Sequence, residues 1–274
     1  MGNIAFTVDP AARSARAEQL GPCAASLGDR AGVSDPGRSR AHNEDCWRVA
    51  PEAGLLLLAD GMGGYNAGEV ASEIAVDCVA RFAFEEPASQ CSVDPLEQLA
   101  TAVASANASI LAAAARRPEC LGMGTTLAIA WVCGSRLFHA HVGDSRIYLL
   151  RHRRLARLTR DHSVGQAMID AGVRERPGSL QASLRGVLTR ALGVEPTVEP
   201  DFGEVALEPG DRLMLCSDGV SDFVSDAQIA RILGREAPAA GLADDLVRTA
   251  LGAGGSDNAT AVVAVFEDAG PGRC

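Results

Sequence analysis

Five acidic groups in this chain have the type and setting to do chemistry together. Asp60 follows the apolar run Leu55–Ala59 and precedes Gly61. Asp218 follows Leu213–Ser217 and precedes Gly219. Asp144 follows Phe138–Gly143, and Asp257 lies in Gly255-Ser256-Asp257-Asn258, at the entry to a further apolar run. The fifth group is Glu44-Asp45, after Asn43. An acid at the end of a buried strand is held rigidly, and its burial is costly unless a cation or hydrogen bonds compensate. A lone Asp-Gly reads as a turn. Two Asp-Gly strand ends with two more acids at strand ends read as a site for hard cations. Glu44-Asp45 belongs either to that site or to an exposed polar loop.

The donor types narrow the cation. Oxygen ligands without a Cys or His cluster favour Mg²⁺ or Mn²⁺ over Zn²⁺. The five histidines lack the H-E-x-x-H arrangement; His139 and His141 alternate on one strand face and read as structural or as outer neighbours of a site. Other hydrolytic machinery is missing. No Cys is followed by Arg six positions later, and no G-x-S-x-G elbow occurs. All 25 basic residues are arginine, which excludes lysine Schiff bases and the lysine of a phosphate-binding P-loop. Water activated by metal remains.

These acids need rigid elements behind them. The chain has 274 residues and is 47% hydrophobic but only 4% aromatic, so its core must be mostly Ala, Val, Leu and Ile. The pattern predicts a strand at Leu55–Ala59 and a helix at Gly68–Phe84, with Val70, Ile74, Cys78 and Phe82 on one face. Gln98–Ala115 is uncharged and reads as a packed helix with Asn107 inside it, not a membrane span. Thr125–Cys133 and Arg136–Val142 form a hairpin around Gly134-Ser135, which Arg146–Leu150 and Leu155–Leu158 continue as a meander. Glu204–Leu207 and Arg212–Cys216 pair around Pro209-Gly210. A capping box at Ser225–Gln228 starts a helix, Ala243–Leu251 forms another, and Ala259–Phe266 is the last strand. Antiparallel sheets covered by helices follow.

The organisation expected is an extension at 1–28, one domain at 29–268 and a short tail at 269–274. The net charge of −10 disfavours nucleic-acid binding. Residues 1–28 carry no apolar signal segment, which fits a cytoplasmic protein without a membrane anchor. The eight cysteines lack C-x-x-C spacing and read as reduced, buried thiols. Residues 161–190 have no clean period and are expected to form short helices and a mobile flap. The basic run Arg151-His152-Arg153-Arg154, with Arg157 and Arg160, is either a docking patch or a solvated hairpin.

Seven segments carry a resemblance. They are Arg40…Glu44-Asp45, Ala59-Asp60-Gly61-Met62-Gly63-Gly64, Met123-Gly124-Thr125-Thr126, Val142-Gly143-Asp144-Ser145-Arg146, Thr189-Arg190-Ala191-Leu192-Gly193, Leu215-Cys216-Ser217-Asp218-Gly219 and Gly255-Ser256-Asp257-Asn258. In this order they are similar to the bacterial branch of the metal-dependent protein serine/threonine phosphatases of type 2C. The resemblance covers about residues 29–268. It implies an α+β fold, a four-layer αββα sandwich of two antiparallel sheets flanked by helices. It also implies hydrolysis of phosphoserine and phosphothreonine on proteins by a metal-activated water.

By motif, Asp60 bridges two cations, Asp218 and Asp257 complete the first, and Glu44 and the Gly61 carbonyl bind the second. Asp45 and Asn258 stand behind these ligands. Asp144, with Asp218, would hold a third cation, giving two or three Mn²⁺ or Mg²⁺ per chain. Arg40 takes the phosphate-binding position. Met62 stands where eukaryotic relatives have the histidine proposed as general acid. The resemblance further implies a monomer acting on phosphorylated proteins, opposing a cognate serine/threonine kinase, with the flap influencing substrate choice. The alternative is a non-catalytic pseudophosphatase or binding module.

Overall fold

Residues 27–63, 67–85, 94–173, 184 and 186–267 are described by the computed structural model of the chain. The run Leu55–Leu58 shows how the layers arise. It begins β3 (Leu55–Met62), whose successive side chains alternate faces. Leu55, Leu57 and Ala59 pack against helices, whereas Leu56 and Leu58 pack against the other sheet. A strand buried on both faces must be apolar throughout, and this one is.

Two antiparallel sheets result. One has β2 (Asp45–Ala50), β3, β5 (Leu127–Cys133), β6 (Arg136–Val142) and β9 (Asp201–Ala206) in that order, with the short β4 (Gly124–Thr125) beside β3. The other runs β1 (Leu27–Asp35), β11 (Ala259–Phe266), β10 (Arg212–Cys216), β7 (Arg146–Arg151) and β8 (Arg154–Arg157). Leu56, Leu58, Ile147, Leu213, Leu215 and Val262 meet between them. Helices α1 (Ala67–Glu85) and α2 (Pro95–Arg116) cover the first sheet. The second is covered by α4 (Asp218–Ser221), α5 (Asp226–Leu233) and α6 (Ala239–Ala253), while α3 (Val164–Asp170) lies in the 161–190 segment. The expected αββα sandwich is therefore present.

α2 is long and apolar enough to cross a membrane by composition, yet it packs Leu99, Ala102, Val103, Ala106 and Ile110 into the core, as expected of a packed helix. Asp94 caps it, accepting the Leu96 N–H at 2.9 Å. The capping box at Ser225 forms as well, with the Ser225 N–H donating to Gln228 Oε1 at 3.0 Å.

Two expected pairings fail. The meander ends at Val142: β7 pairs with β10 and β8 in the opposite sheet, so Gly143-Asp144-Ser145 is a crossover. Likewise β9 pairs with β6 while β10 pairs with β7 and β11. Alternation identifies a strand but not its partner. Leu213, Met214, Leu215 and Cys216 are fully buried, which demands a central position, whereas Asp201 and Phe202 on β9 are exposed at an edge. Strands β1 and β2 had no sequence signal strong enough to place them. β1 starts at Leu27, inside the expected extension; the rest of that extension, the tail 269–274 and residues 174–183 and 185 of the flap lie outside the described residues. The expectation of reduced thiols also fails at one position: Cys133 is disulfide-bonded. Cys46, Cys78, Cys120 and Cys216 are free.

Candidate active site

The acids converge where both sheets end on the same side. Asp60 is near the end of β3 and faces Asp45, the first residue of β2, across the ladder. Asp218 follows β10 and opens α4, and Asp257 leads into β11. Asp144 sits in the crossover between β6 and β7. Arg40, Glu44, Asp60, Asp144, Asp218 and Asp257 line one cleft of about 860 Å³, together with Gly61, Met62 and Asn258. Asp45 lies behind it.

Short hydrogen bonds fix each carrier. The Asp60 N–H donates to Thr126 Oγ1 at 2.8 Å, and the Asp60 carbonyl accepts from the Thr126 N–H and Thr125 Oγ1, each at 2.9 Å. Thr126 Oγ1 also lies 2.6 Å from Ser145 Oγ, tying the Asp144 crossover to β3. Asn258 holds the loop of residues 36–44. Its Oδ1 accepts the Glu44 N–H at 2.9 Å, and its Nδ2 donates to the carbonyls of Pro36 and His42 at 2.8 and 2.9 Å. Gly61 allows close approach: a Cβ there would sit 2.2 Å from the Gly68 carbonyl oxygen. Gly219 does the same, since its Cβ would lie 1.8 Å from the Asn258 carbonyl oxygen.

The electrostatics are those of crowded like charges. Burial first, then the charges of Asp45, Asp218, Asp144 and Asp257, push the Asp60 carboxyl well above the usual carboxylate range. Burial and Asp218 raise Asp144 to about 8. Burial and Asp257 raise Asp218 to about 6. Glu44 is also raised, chiefly by burial, although Arg40 opposes the shift. Asp45 rises to about 7 through burial, despite Thr260 Oγ1 and Ser217 Oγ donating to its Oδ2 at 2.6 and 2.8 Å. Its Oδ1 is buried without a partner. Arg40 Nη2 donates to Asp257 Oδ2 at 2.8 Å and, among the described residues, is the one arginine ion-paired to these six acids.

An all-oxygen set that repels itself fits hard divalent cations, which take carboxylate and carbonyl donors. Asp60, Asp218, Asp257, Glu44 and the Gly61 carbonyl could hold them, with Asp144 beside Asp218. Every sequence-expected site residue is thus in the cleft or against it. Ser217, Thr260 and Asp222 were missed. The first two are polar residues within apolar strand ends; Asp222 lies one helical turn after Asp218, its N–H bonded to the Asp218 carbonyl at 2.8 Å, and its charge raises both Asp218 and Asp144.

A second cluster lies where β6 pairs with the edge strand β9. His141, His162 and Asp201 offer ligand atoms within 4.8 Å of one another. Arg190 Nη1 already donates to Asp201 Oδ1 at 2.9 Å and sits 3.2 Å from His162 Nε2, so a guanidinium supplies the positive charge there. The His141 Nε2 bonds the Arg160 carbonyl at 2.8 Å, in keeping with a structural role. The basic hairpin is largely neutralised: Arg151 pairs with Asp211 and Glu208, and Arg160 with Asp170.

Comparison with known proteins gives the family. The family model described as protein phosphatase 2C matches residues 37–251. The serine/threonine protein phosphatase PstP of Mycobacterium tuberculosis is 42% identical over 236 residues, covering 86% of this chain but 44% of that relative, so the chain spans less than half its length. The serine/threonine phosphatase stp of Listeria innocua is 36% identical over 234 residues, covering 84% of this chain and 92% of the relative. A crystal structure of the PstP catalytic domain with two manganese ions superposes with a TM-score of 0.78 at 40% identity, over 88% of this chain and 99% of that one. The chain belongs to the protein phosphatase 2C family.

Proposed function

We propose that this cleft hydrolyses phosphoserine and phosphothreonine on proteins with divalent cations held by Asp60, Asp218, Asp257, Glu44 and the Gly61 carbonyl. The observation that carries the reading is the convergence of these acids, from four separated stretches of chain, on one cleft where, among the described residues, a single arginine pairs with them. Family membership and the manganese-bound relative support it. The bound cations would supply an activated water and offset the charge of the phosphoryl group.

The chain's own residues do the rest. Arg40, half-exposed at the cleft and within reach of Asp257, is placed to take phosphoryl oxygens by charge-assisted hydrogen bonds. Asn258 and Thr126 keep the acids in register through the bonds described above. Met62 lines the cleft and has no proton to give, so the proton for a departing seryl or threonyl alkoxide must come from elsewhere, and a water could supply it. Asp144 with Asp218 would hold a third cation, and Mg²⁺ could replace Mn²⁺. The proposal extends to a monomeric, cytoplasmic enzyme that reverses a cognate serine/threonine kinase. A non-catalytic module is disfavoured because no expected acid is missing.

The test is release of phosphate from phosphothreonine and phosphotyrosine peptides with Mn²⁺. Asp60→Asn and Asp218→Asn should each lower turnover by about 100-fold or more while the fold is retained. Near-native turnover in either variant, or turnover that survives thorough chelation, overturns the assignment.

A further inference from the structure

Asn107 is the unexpected residue of α2. It is 2% exposed in a buried helix face that is otherwise Leu, Val, Ala and Ile from Leu99 to Ile110, with Gln98 the other buried amide, near the helix start. An amide buried there is stable only if its polar atoms are satisfied. Its Oδ1 accepts the Gly193 N–H at 2.7 Å, and its Nδ2 donates to the carbonyls of Glu195 and Pro196 at 3.0 and 3.3 Å. All three bonds go to one short stretch of chain that belongs to no helix or strand. That stretch continues to Glu199 and forms a wall of the catalytic cleft.

The wall has a distinct chemistry. Val194, 52% exposed, reaches over Gly124 beside Met62: a Cβ at Gly124 would sit 2.7 Å from Met62 Cε and 3.1 Å from Val194 Cγ2. Val187, also exposed, lines the same cleft. Beyond this apolar shelf stand Glu195 and Glu199, exposed and without an ion pair among the described residues. The two arginines of the cleft are already engaged, Arg40 by Asp257 and Arg190 by Asp201. An apolar shelf continuous with the catalytic acids and rimmed by free carboxylates complements an aliphatic and cationic partner.

We propose that segment 193–199, clamped by Asn107, selects the sequence around the phosphorylated residue. The shelf seats an aliphatic side chain next to the phosphoserine or phosphothreonine, and Glu195 and Glu199 favour Arg or Lys beyond it. Asn107 is a positioning residue: it touches no substrate and acts through the backbone it holds. This inference rests on the phosphatase reading above and names its substrate class.

Two phosphothreonine peptides test it, identical except that one carries Val and Arg on the flank and the other Ser and Glu. The readout is the ratio of their kcat/KM values with Mn²⁺, for wild type, the Glu195→Lys/Glu199→Lys pair and Asn107→Ala, each normalised to its own turnover of para-nitrophenyl phosphate. Wild type should favour the Val/Arg peptide by about tenfold, as expected of a few exposed charge pairs, and salt should shrink the preference. The charge swap should abolish or invert it. Asn107→Ala should raise KM for the favoured peptide more than it lowers kcat; where that variant does not fold, the surface swap decides. Equal kcat/KM values in wild type, or a ratio that survives the swap, overturn the proposal. A wild type that hydrolyses neither peptides nor para-nitrophenyl phosphate removes the phosphatase reading as well.

Discussion

Replacing Asn258 tests whether the loop of residues 36–44 is held by one buried amide. Asn258 is 5% exposed and makes three hydrogen bonds to residues 36–44, the stretch that carries Arg40 and Glu44. Asn258→Ala removes all three and strands the Glu44 N–H and two carbonyls. A typical internal bond contributes about 1 kcal/mol, and a stranded buried group costs about 1–3 kcal/mol. The loop is half-exposed, so water recovers part of this, and about 3 kcal/mol of lost stability is expected. Asn258→Asp is the sharper variant. It keeps the acceptor for Glu44 but points an oxygen at two carbonyl oxygens less than 3 Å away and adds a negative charge to a crowded cluster. It should destabilise at least as much as alanine despite retaining one bond. Urea unfolding with chelator present gives the stability change. Titration of activity with Mn²⁺ should show half-saturation shifted upward by about 10- to 100-fold, as for residues that orient metal ligands. Stability within about 0.5 kcal/mol of wild type, or an Asp variant as good as the native amide, would refute the reasoning.

Three other outcomes are expected. Gly219→Ala drives a methyl into the Asn258 carbonyl, 1.8 Å from where the Cβ would lie, and should lower stability by about 3 kcal/mol in a thermal or urea melt; an unaffected melt would show that the contact relaxes freely. Burial lowers His139 and His141 to about 4, so the unfolded chain takes up protons first as pH falls from about 6.5 to 4, and stability is lost across that window by about 3 kcal/mol per imidazole; His139→Gln should flatten the slope, and an unchanged slope counts against this. Asp45, Asp144 and Asp218 have raised folded values, so their contribution is present at low pH and is lost as pH rises toward about 8; Mn²⁺ should therefore raise the melting temperature more at pH 8 than at pH 6.5, where an equal gain would be contrary evidence.

Much of the site was legible because its acids follow apolar runs. Leu55–Ala59 and Leu213–Ser217 are strands that say where the chain stops being buried, and the Asp-Gly after each marks the stop. What the runs do not encode is which sheet each joins. The hairpin Leu127–Val142 was readable because its turn is local, but β7 and β10 find each other across 60 or so residues and share no local signal. β2 was hidden for a different reason. Asp45-Cys46-Trp47-Arg48 places polar and charged residues where a strand pattern expects apolar ones, because Asp45 faces the site. Ser217 and Thr260 were invisible as well: a hydroxyl at a strand end is ordinary until its partner, Asp45, is known.

That partner explains how a cleft built from two sheets keeps its geometry. Asp45 belongs to the sheet of β2 and β3, whereas Ser217 and Thr260 belong to the sheet of β10 and β11. Two sheets packed only by Leu, Ile and Val can slide, since apolar contact is non-directional. A slide of an ångström would separate Asp60, on one sheet, from Asp218 and Asp257, on the other. The hydroxyls that grip Asp45 Oδ2 are directional and lie at the cleft end, where the tolerance is smallest. Asn258 adds a second crossing, from the start of β11 to the backbone of Glu44. The apolar layer thus supplies the cohesion between the sheets, and these few polar bonds set the register in which their acids meet. The cost is visible in Asp45, whose buried carboxylate is raised to about 7 and keeps one oxygen unpartnered. Asparagine would offer the same acceptor without the charge, but its amide N–H groups would lie where Asp45 Oδ1 now has no partner. An acid at this position, beside Asp60, is accounted for if its negative charge helps to hold cations against the opposite sheet.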